Sequence, residues 1–442
     1  MSVVLRFAPS PTGRLHVGNI KIALLNWLFA RKHNGRFILR MDDTDLERST
    51  KEFEQGIIED MTWLGLNFDA LEHQSARLHH YEAAIETLKK AGRLYACYET
   101  AAELDIKRKR QLARGMPPIY DRAALNLTPE EIAKLDRKPH WRFLLQPKKI
   151  TWQDMIHGQI EIDGDKQSDP VLLREDGSPV YTLSSVVDDV EMGITHIIRG
   201  EDHIANTAAQ IQLIEALGAD PAKLMFGHMP HVMNETGGGL SKRYGDYSIL
   251  NDRERGIEPM AIISMLARLG TSDPIVPFAT MEEVIAQFNI KQIGRNAPKF
   301  SAQELTRLNS KLLHDMPYAM VKDRLAAEGV DARLWDIVKK NISLFSEALE
   351  YKEICYGEWQ PVIEDPEYMA TALELLPAEP WDGNTWQLWT TSLKEATSRK
   401  GKELFMPLRK ALTGMEHGPE MAALLPIIGR EKSVKRLQGL RA

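Results

Sequence analysis

Apolar residues open the chain as a solid block. The run VVLRFA, residues 3–8, is continuous enough for a strand buried on both faces, and after a short turn the stretch from Val17 to Lys32 is apolar on most of its helical faces. A second block, RFILR, residues 36–40, completes a βαβ unit whose two strands run parallel. Capping signals then divide the chain. STKE, with Ser49 to cap and Glu52 to reach back, starts a helix that closes at Gly65, and another helix runs to about Ala91, ahead of Gly92. From 92 to about 187 the pattern changes to short strands, turns such as EDGS, and one helix opened by TPEE, where Thr128 caps, Pro129 takes the first position and Glu131 completes the box. Strand-like ITHIIRG and a helix from about Ile204 to Leu217 resume the earlier alternation.

Beyond Leu250 the pattern is helical, with capping boxes at TMEE from Thr280 and SAQE from Ser301, and with Pro361, Pro366 and Pro377 marking helix ends. The predicted fold is α/β: a Rossmann-type parallel sheet interrupted by an α+β insertion and followed by an all-α C-terminal domain. In residues, 1–91 and 188–236 are the two halves of the sheet domain, 92–187 the insertion, 237–311 a loop-bearing connecting region and 312–442 the helical domain.

Composition narrows the classes. A chain of 442 residues exceeds what one core ordinarily serves, and 43% hydrophobic with 27% charged residues is a globular composition. No apolar run is long enough to span a bilayer, and the N-terminus lacks the pattern of a secretory leader, so the expectation is a cytoplasmic protein without a membrane partner. Two cysteines, Cys97 and Cys355, provide no disulfide framework. A formal net charge of -6 weighs against a uniformly basic nucleic-acid binder, although local basic clusters are present.

Chemistry concentrates in two places. In a doubly wound sheet the turn after the first strand is a phosphate site, and here that turn is APSPTGRLHVGN. Pro9 and Pro11 stiffen it, Ser10 and Thr12 carry hydroxyls, Gly13 permits close approach, and the following helix offers backbone N–H groups to an anion. His16 at that helix start is either a donor to phosphate or a helix cap. The second place is GGGLSKRYGD, residues 237–246, where a glycine run precedes Ser241, Lys242 and Arg243. Such a loop can close over a polyphosphate and neutralise charge as pyrophosphate leaves, whereas a solvated basic loop is the plainer alternative.

Together the two resemble the paired ATP motifs of class I aminoacyl-tRNA synthetases. HVGN (His16 to Asn19) is similar to the histidine-glycine motif and GLSKR (Gly239 to Arg243) to the lysine-serine-lysine loop; RFAPSPTG, FILRMDDTD, PVYTLSSVVDD and THIIRGEDH resemble blocks of the bacterial glutamyl branch. Asn19 stands where the general motif has a second histidine, and Gly239 where it has a first lysine. The resemblance implies ATP, as its magnesium complex, bound by Ser10, Thr12, Gly13, His16, Gly18, Asn19, Asp202, Ser241 and Lys242, with His16, Lys242 and Arg243 serving catalysis. Glutamate carries two carboxylates, which forked arginine donors suit, and Arg6 and Arg199 lie near strand ends that face one crevice. The resemblance assigns them to the amino acid together with Ala8, Ser10, Tyr181 and Asp42, the last at a position where relatives often have glutamate; a structural ion pair is the alternative for either arginine. Asp43 and Asp45 are read as structural, with a magnesium site or a capping turn as alternatives for the three carboxylates. His203 falls beside Asp202 in the same block.

In this reading 92–187 binds the acceptor end, 237–311 carries the ATP loop and stem contacts, and 312–442 binds the anticodon. Candidate RNA contacts are Lys107, Arg108 and Arg110 in KRKRQLARG, and Arg399, Lys400, Lys402 and Arg409 near Trp386, Trp389 and Phe405. A solvated helix face and a buried core are the plainer alternatives. Some family members bind zinc through a Cys-x-Cys pair; here Cys97 is followed by Tyr98 and Glu99, and no zinc is expected. The implied partners are tRNA(Glu), with tRNA(Gln) as a further acceptor left open, and L-glutamate, on a monomer. Three alternatives stay in view: a glutaminyl-type enzyme, whose anticodon region is β-barrel in character; a shortened relative that glutamylates a modified base and lacks an anticodon domain; and a non-catalytic tRNA-binding homologue lacking the ATP groups.

Overall fold

The computed structural model describes residues 2–45, 47–240 and 247–442. It divides into two compact units, one formed by Met1–Asn251, Ile263–Ile275 and Thr280–Ser301, the other by Asp252–Ile262, Val276–Ala279 and Ala302–Ala442.

In the first unit the opening apolar block is strand β1 (Val4–Phe7), paired in parallel with β2 (Arg36–Met41), which pairs in parallel with β3 (Ala70–His73). Strands covered on both faces need no alternation, which explains the solid runs of β1 and β2. Helix α1 (Val17–Lys32) packs against β1 and β2, and is buried on nearly every side. Its one buried cation, Lys21, directs Nζ to the carbonyls of Leu266, at 3.5 Å, and Leu269, at the end of the helix Pro259–Arg268. A lysine there meets carbonyls that a helix end leaves unpaired. Helices α2 (Lys51–Trp63) and α3 (Leu78–Lys90) follow. Thr50, not Ser49, caps α2: its hydroxyl accepts the Phe53 N–H at 3.2 Å, because the Ser49 N–H is drawn back to the Asp45 carbonyl at 2.9 Å.

The strand-rich segment contains β4 (Leu94–Cys97), α4 (Ala101–Ala113), α5 (Pro129–Ala133), β5 (His140–Phe143), β6 (Lys149–Asp154), β7 (Gly158–Asp163), β8 (Val171–Leu173) and α6 (Tyr181–Glu191). Thr128 and Glu131 form the expected capping box at α5. The strands serve two sheets. β4, β5 and β8 form an antiparallel sheet of their own, whereas the β6–β7 hairpin joins the sheet of β9 (His196–Gly200) and β10 (Met225–Met229), with β6 parallel to β10 and β10 parallel to β9. Helix α7 (Ile204–Ala216) connects β9 to β10. The Thr195 N–H donates to the Val4 carbonyl at 2.9 Å, bringing β9 beside β1 and joining the two parts of the interrupted fold.

Among the described residues the regular elements of the second unit are all helices, those of its longest segment running from Ala302–Asp315 to Arg430–Leu437. Its core is built on apolar stripes such as Leu404, Leu408, Ala411 and Leu412, and on two fully buried tryptophans, Trp335 and Trp389.

Candidate active site

A cavity of about 740 Å³ opens beyond the carboxyl ends of β1 and β9. Its wall includes Arg6, Ala8, Ser10, His16, Gly18, Asn19, Asp42, Tyr181, Arg199 and Asp202, so residues drawn from five separate stretches of sequence meet here. Gly239 and Leu240 also line it, and the backbone of Ser248 pairs with that of His16. Ser241, Lys242 and Arg243 lie outside the described residues. Thr12 and Gly13 are not on the cavity wall: the Pro11 carbonyl accepts the Thr50 N–H at 3.1 Å, turning that segment toward the start of α2.

His16 does what the plainer alternative held, and more. Its Nδ1 accepts the N–H groups of Gly18 at 3.1 Å and Asn19 at 3.3 Å, while Asn19 Oδ1 accepts the His16 N–H at 3.3 Å, a reciprocal capping box. An accepting Nδ1 places the ring proton on Nε2, which makes that edge a donor. Gly18 is required by the same geometry, since a Cβ there would lie 2.9 Å from His16 Cε1 and 3.0 Å from Nδ1. Asn19 therefore acts on the cap through its oxygen.

The other end of the cavity is charged and buried. Arg6 donates to Asp189 through Nε at 3.0 Å and Nη2 at 3.3 Å, so part of its fork belongs to a structural ion pair. Arg40, fully buried on β2, donates to Asp42 at 2.8 Å and to Asp189 at 2.7 Å. Neighbouring Asp188 accepts from Arg77 at 2.7 Å and from Gln74 and Tyr81 at 2.8 Å. Burial raises the Asp189 carboxyl, but Arg6 and Arg40 outweigh it and hold it below the usual range. Asp42 is different. Burial lifts it to about 6 against the opposing pull of Arg40, and its Oδ2 is buried with no hydrogen-bond partner. Arg199 is the counterpart: its partners are all neutral, His228 at 3.4 Å, Thr207 at 2.7 Å and Gln210 at 2.6 Å, and the Tyr181 phenol lies beside it. Burial, with Arg199 next, lowers His203 to about 4, so this cavity residue is neutral at pH 7. Among the described residues, a carboxylate oxygen without a hydrogen-bond partner and a buried guanidinium without an ion-pair partner share one cavity, which matches a small zwitterion carrying a further carboxylate.

A family model described as tRNA synthetases class I (E and Q), catalytic domain, matches residues 2–307, and one described as an anticodon binding domain matches residues 304–441. The protein named glutamate--tRNA ligase 1 of Parvibaculum lavamentivorans is 54% identical, over 99% of this chain and 98% of its own. The chain belongs to the class I glutamyl-tRNA synthetase family. The corresponding ligase of Maricaulis maris is 52% identical over 98% of this chain and 99% of its own. Among solved structures, a glutamate tRNA ligase from Elizabethkingia meningosepticum, in complex with its amino acid, aligns with a TM-score of 0.84 and 28% identity over 99% of each chain. The α/β unit with a parallel sheet and the helical unit are thus those of a glutamyl-tRNA synthetase.

The RNA candidates of this synthetase separate by environment. On α4, Arg108 and Arg110 are exposed, but Lys107 is tied to Glu99 and Asp121, both at 3.1 Å, and works as an internal brace. Lys400 and Lys402 are exposed. Arg399 donates to Asp365 at 2.6 Å and lies over the Tyr368 ring, and Arg409 donates to the Pro419 carbonyl at 2.8 Å, so both are engaged within the unit. Trp389 is core, its Nε1 donating to the Ala372 carbonyl at 2.9 Å, whereas Phe405 is exposed beside half-buried Trp386. Cys97 is buried beside Tyr120, whose hydroxyl donates to Glu99 at 2.9 Å, and burial pushes the thiol up to about 11. Among the described residues no group of three or more His, Cys, Asp or Glu side chains is arranged to hold a metal ion. Asp43 binds the Ser75 N–H and hydroxyl at 2.8 and 2.7 Å, and Asp45 binds Arg48 at 2.7 Å. Sequence reasoning missed Arg40, Asp188, Asp189, Asp154 and His228. Its available signal was charge inside apolar runs, as in FILRM and SVVDDV.

Proposed function

We propose that this class I synthetase attaches L-glutamate to tRNA(Glu) through a glutamyl-adenylate. Asp42 Oδ2 accepts the α-ammonium, and Arg199 with Tyr181 receives the side-chain carboxylate, with Arg6 contributing the part of its fork not spent on Asp189. His16 Nε2–H serves the triphosphate, with Ser10 and Lys242 contributing further donors. An oxygen of the glutamate α-carboxylate attacks the α-phosphorus, the bond to the bridging oxygen of the β-phosphate breaks, and pyrophosphate leaves. No protein nucleophile takes part. The residues act by alignment and by donors aimed at the charge that develops on phosphate. Magnesium bound by the phosphates would offset part of their charge. The 2′-hydroxyl of the terminal adenosine then displaces AMP from the adenylate.

The observation that carries this reading is that, among the described residues, Arg199 is buried without an ion-pair partner and Asp42 Oδ2 without a hydrogen-bond partner on one cavity wall. Exposed Arg108, Arg110, Lys400 and Lys402 are the residues proposed to meet the RNA backbone. Pyrophosphate exchange measured with glutamate, with and without tRNA(Glu), tests it. Absence of glutamate-dependent exchange under both conditions overturns it, and the same preparation assayed on separately purified tRNA(Gln) defines the acceptor range.

A further inference from the structure

A second row of buried polar groups stands behind Arg199. β9 and β10 pair in register, with Arg199 beside His228. An arginine Nε–H can only donate, so the contact at 3.4 Å makes His228 Nε2 the acceptor. The imidazole proton is then on Nδ1, where it donates to Asp154 Oδ2 at 2.6 Å. Neither side chain is exposed to solvent. The other carboxylate oxygen of Asp154 accepts three backbone N–H groups, from Ile156 at 2.9 Å, His157 at 3.0 Å and His228 itself at 3.3 Å. Burial lowers His228 against the opposing Asp154 hydrogen bond, in keeping with a neutral ring. The Thr207 hydroxyl sits 2.9 Å from Nε2 and accepts from Arg199 Nη2 at 2.7 Å, and Gln210 accepts from the same nitrogen at 2.6 Å. With Nε and Nη2 engaged by these groups, the rest of the fork lies beside the Tyr181 phenol, which also lines the cavity.

We propose that Asp154 and His228 are positioning residues for recognition of the substrate's side-chain carboxylate: Asp154 fixes the imidazole tautomer, and the lone pair presented by Nε2 holds the Arg199 fork in the orientation that faces the cavity. The inference rests on the reading of Arg199 as a glutamate-binding group. It also explains how a guanidinium without an adjacent carboxylate stays buried, since the compensating charge reaches it through a neutral ring.

The decisive variant is Asp154→Asn. The amide keeps one oxygen for the three backbone N–H groups but turns an NH₂ toward His228 Nδ1. That forces the ring proton onto Nε2, which then points a donor at the Arg199 donor. Stranding a buried donor in this way is expected to raise KM for glutamate roughly ten- to hundred-fold in aminoacylation by the full chain, with KM for ATP unchanged and kcat altered less. In Asp154→Asn combined with His228→Gln, the glutamine carbonyl can serve as the acceptor whatever stands at 154, and KM is expected to return toward the parent value. An unchanged KM in Asp154→Asn, or a double variant as impaired as the single one, overturns the proposal. Should Asp154→Asn fail to fold, His228→Gln against His228→Leu carries the same comparison; the first retains an acceptor and the second does not, and equal KM values overturn it. Arg199→Ala is assayed in parallel. A normal KM there removes both the relay and the glutamate reading, whereas a raised KM there with a normal KM in Asp154→Asn removes the relay alone.

Discussion

Replacing Asp42 by Asn is expected to make the ligand-free protein more stable and the enzyme far worse. Asp42 is buried, shares one oxygen with Arg40 and leaves the other without a partner, and burial displaces its pKa from 3.8 to about 6. A displacement of that size corresponds to about 3 kcal/mol spent at pH 7 on holding the carboxylate charged in the folded protein. The sign follows from linkage. The folded pKa lies above the unfolded one, so the contribution to stability is fully present below about pH 4 and is lost as pH rises to about 6. Asn keeps a carbonyl for Arg40 but carries no charge, so denaturant unfolding at pH 7 is expected to show a gain of about 1–3 kcal/mol, vanishing toward about pH 4. The same change removes the acceptor for the substrate ammonium. KM for glutamate should rise at least about thirtyfold, the equivalent of about 2 kcal/mol. In the parent enzyme kcat/KM for glutamate should fall about tenfold as pH drops to about 5, a dependence the Asn variant lacks. A variant that loses several kcal/mol at pH 7, or that binds glutamate normally, refutes the reasoning.

Gly18→Ala should drive the His16 ring from its cap, lowering the rate of adenylate formation tenfold or more while costing about 1 kcal/mol of stability; an unchanged pyrophosphate-exchange rate would separate the ring position from catalysis. Lys242→Ala is expected to slow adenylate formation with tRNA affinity preserved, and single-turnover kinetics with a filter-binding Kd checks both halves. Arg108→Ala should weaken tRNA binding across sequences and flatten its salt dependence, whereas Lys107→Ala should chiefly lower the melting temperature, because its ammonium already lies between Glu99 and Asp121; equal losses of affinity would refute the distinction.

Much of this arrangement is readable in advance because local rules and the fold agree. The solid runs at β1 and β2, the capping box at Thr128 and the helical pattern beyond Leu250 each survive into the structure for the reasons that first suggested them. Where local reading stops short, contacts remote in sequence decide. The hairpin of β6 and β7 has the alternation of any half-exposed pair, and nothing local says it pairs with β10. Arg6 reads as a ligand-binding arginine, but half of its fork is claimed by a carboxylate 183 residues away. In the basic, aromatic stretch tertiary packing puts Trp389 in the core and takes one donor of half-buried Arg409 for the Pro419 carbonyl. Charged residues buried within apolar segments are the most useful neglected sign, since each must find a partner, and those partners outline the amino-acid end of the cavity.

The arginines of β1 and β2 find Asp189 across separations of 183 and 149 residues. During synthesis both guanidiniums leave the ribosome long before the carboxylate that will clasp them, so a nascent chain has no competent amino-acid pocket until α6 has emerged and docked. The parts of the intervening segment that carry neither Asp42 nor Asp154 can therefore change in length and sequence without retuning substrate choice, provided they deliver that one helix to the same place.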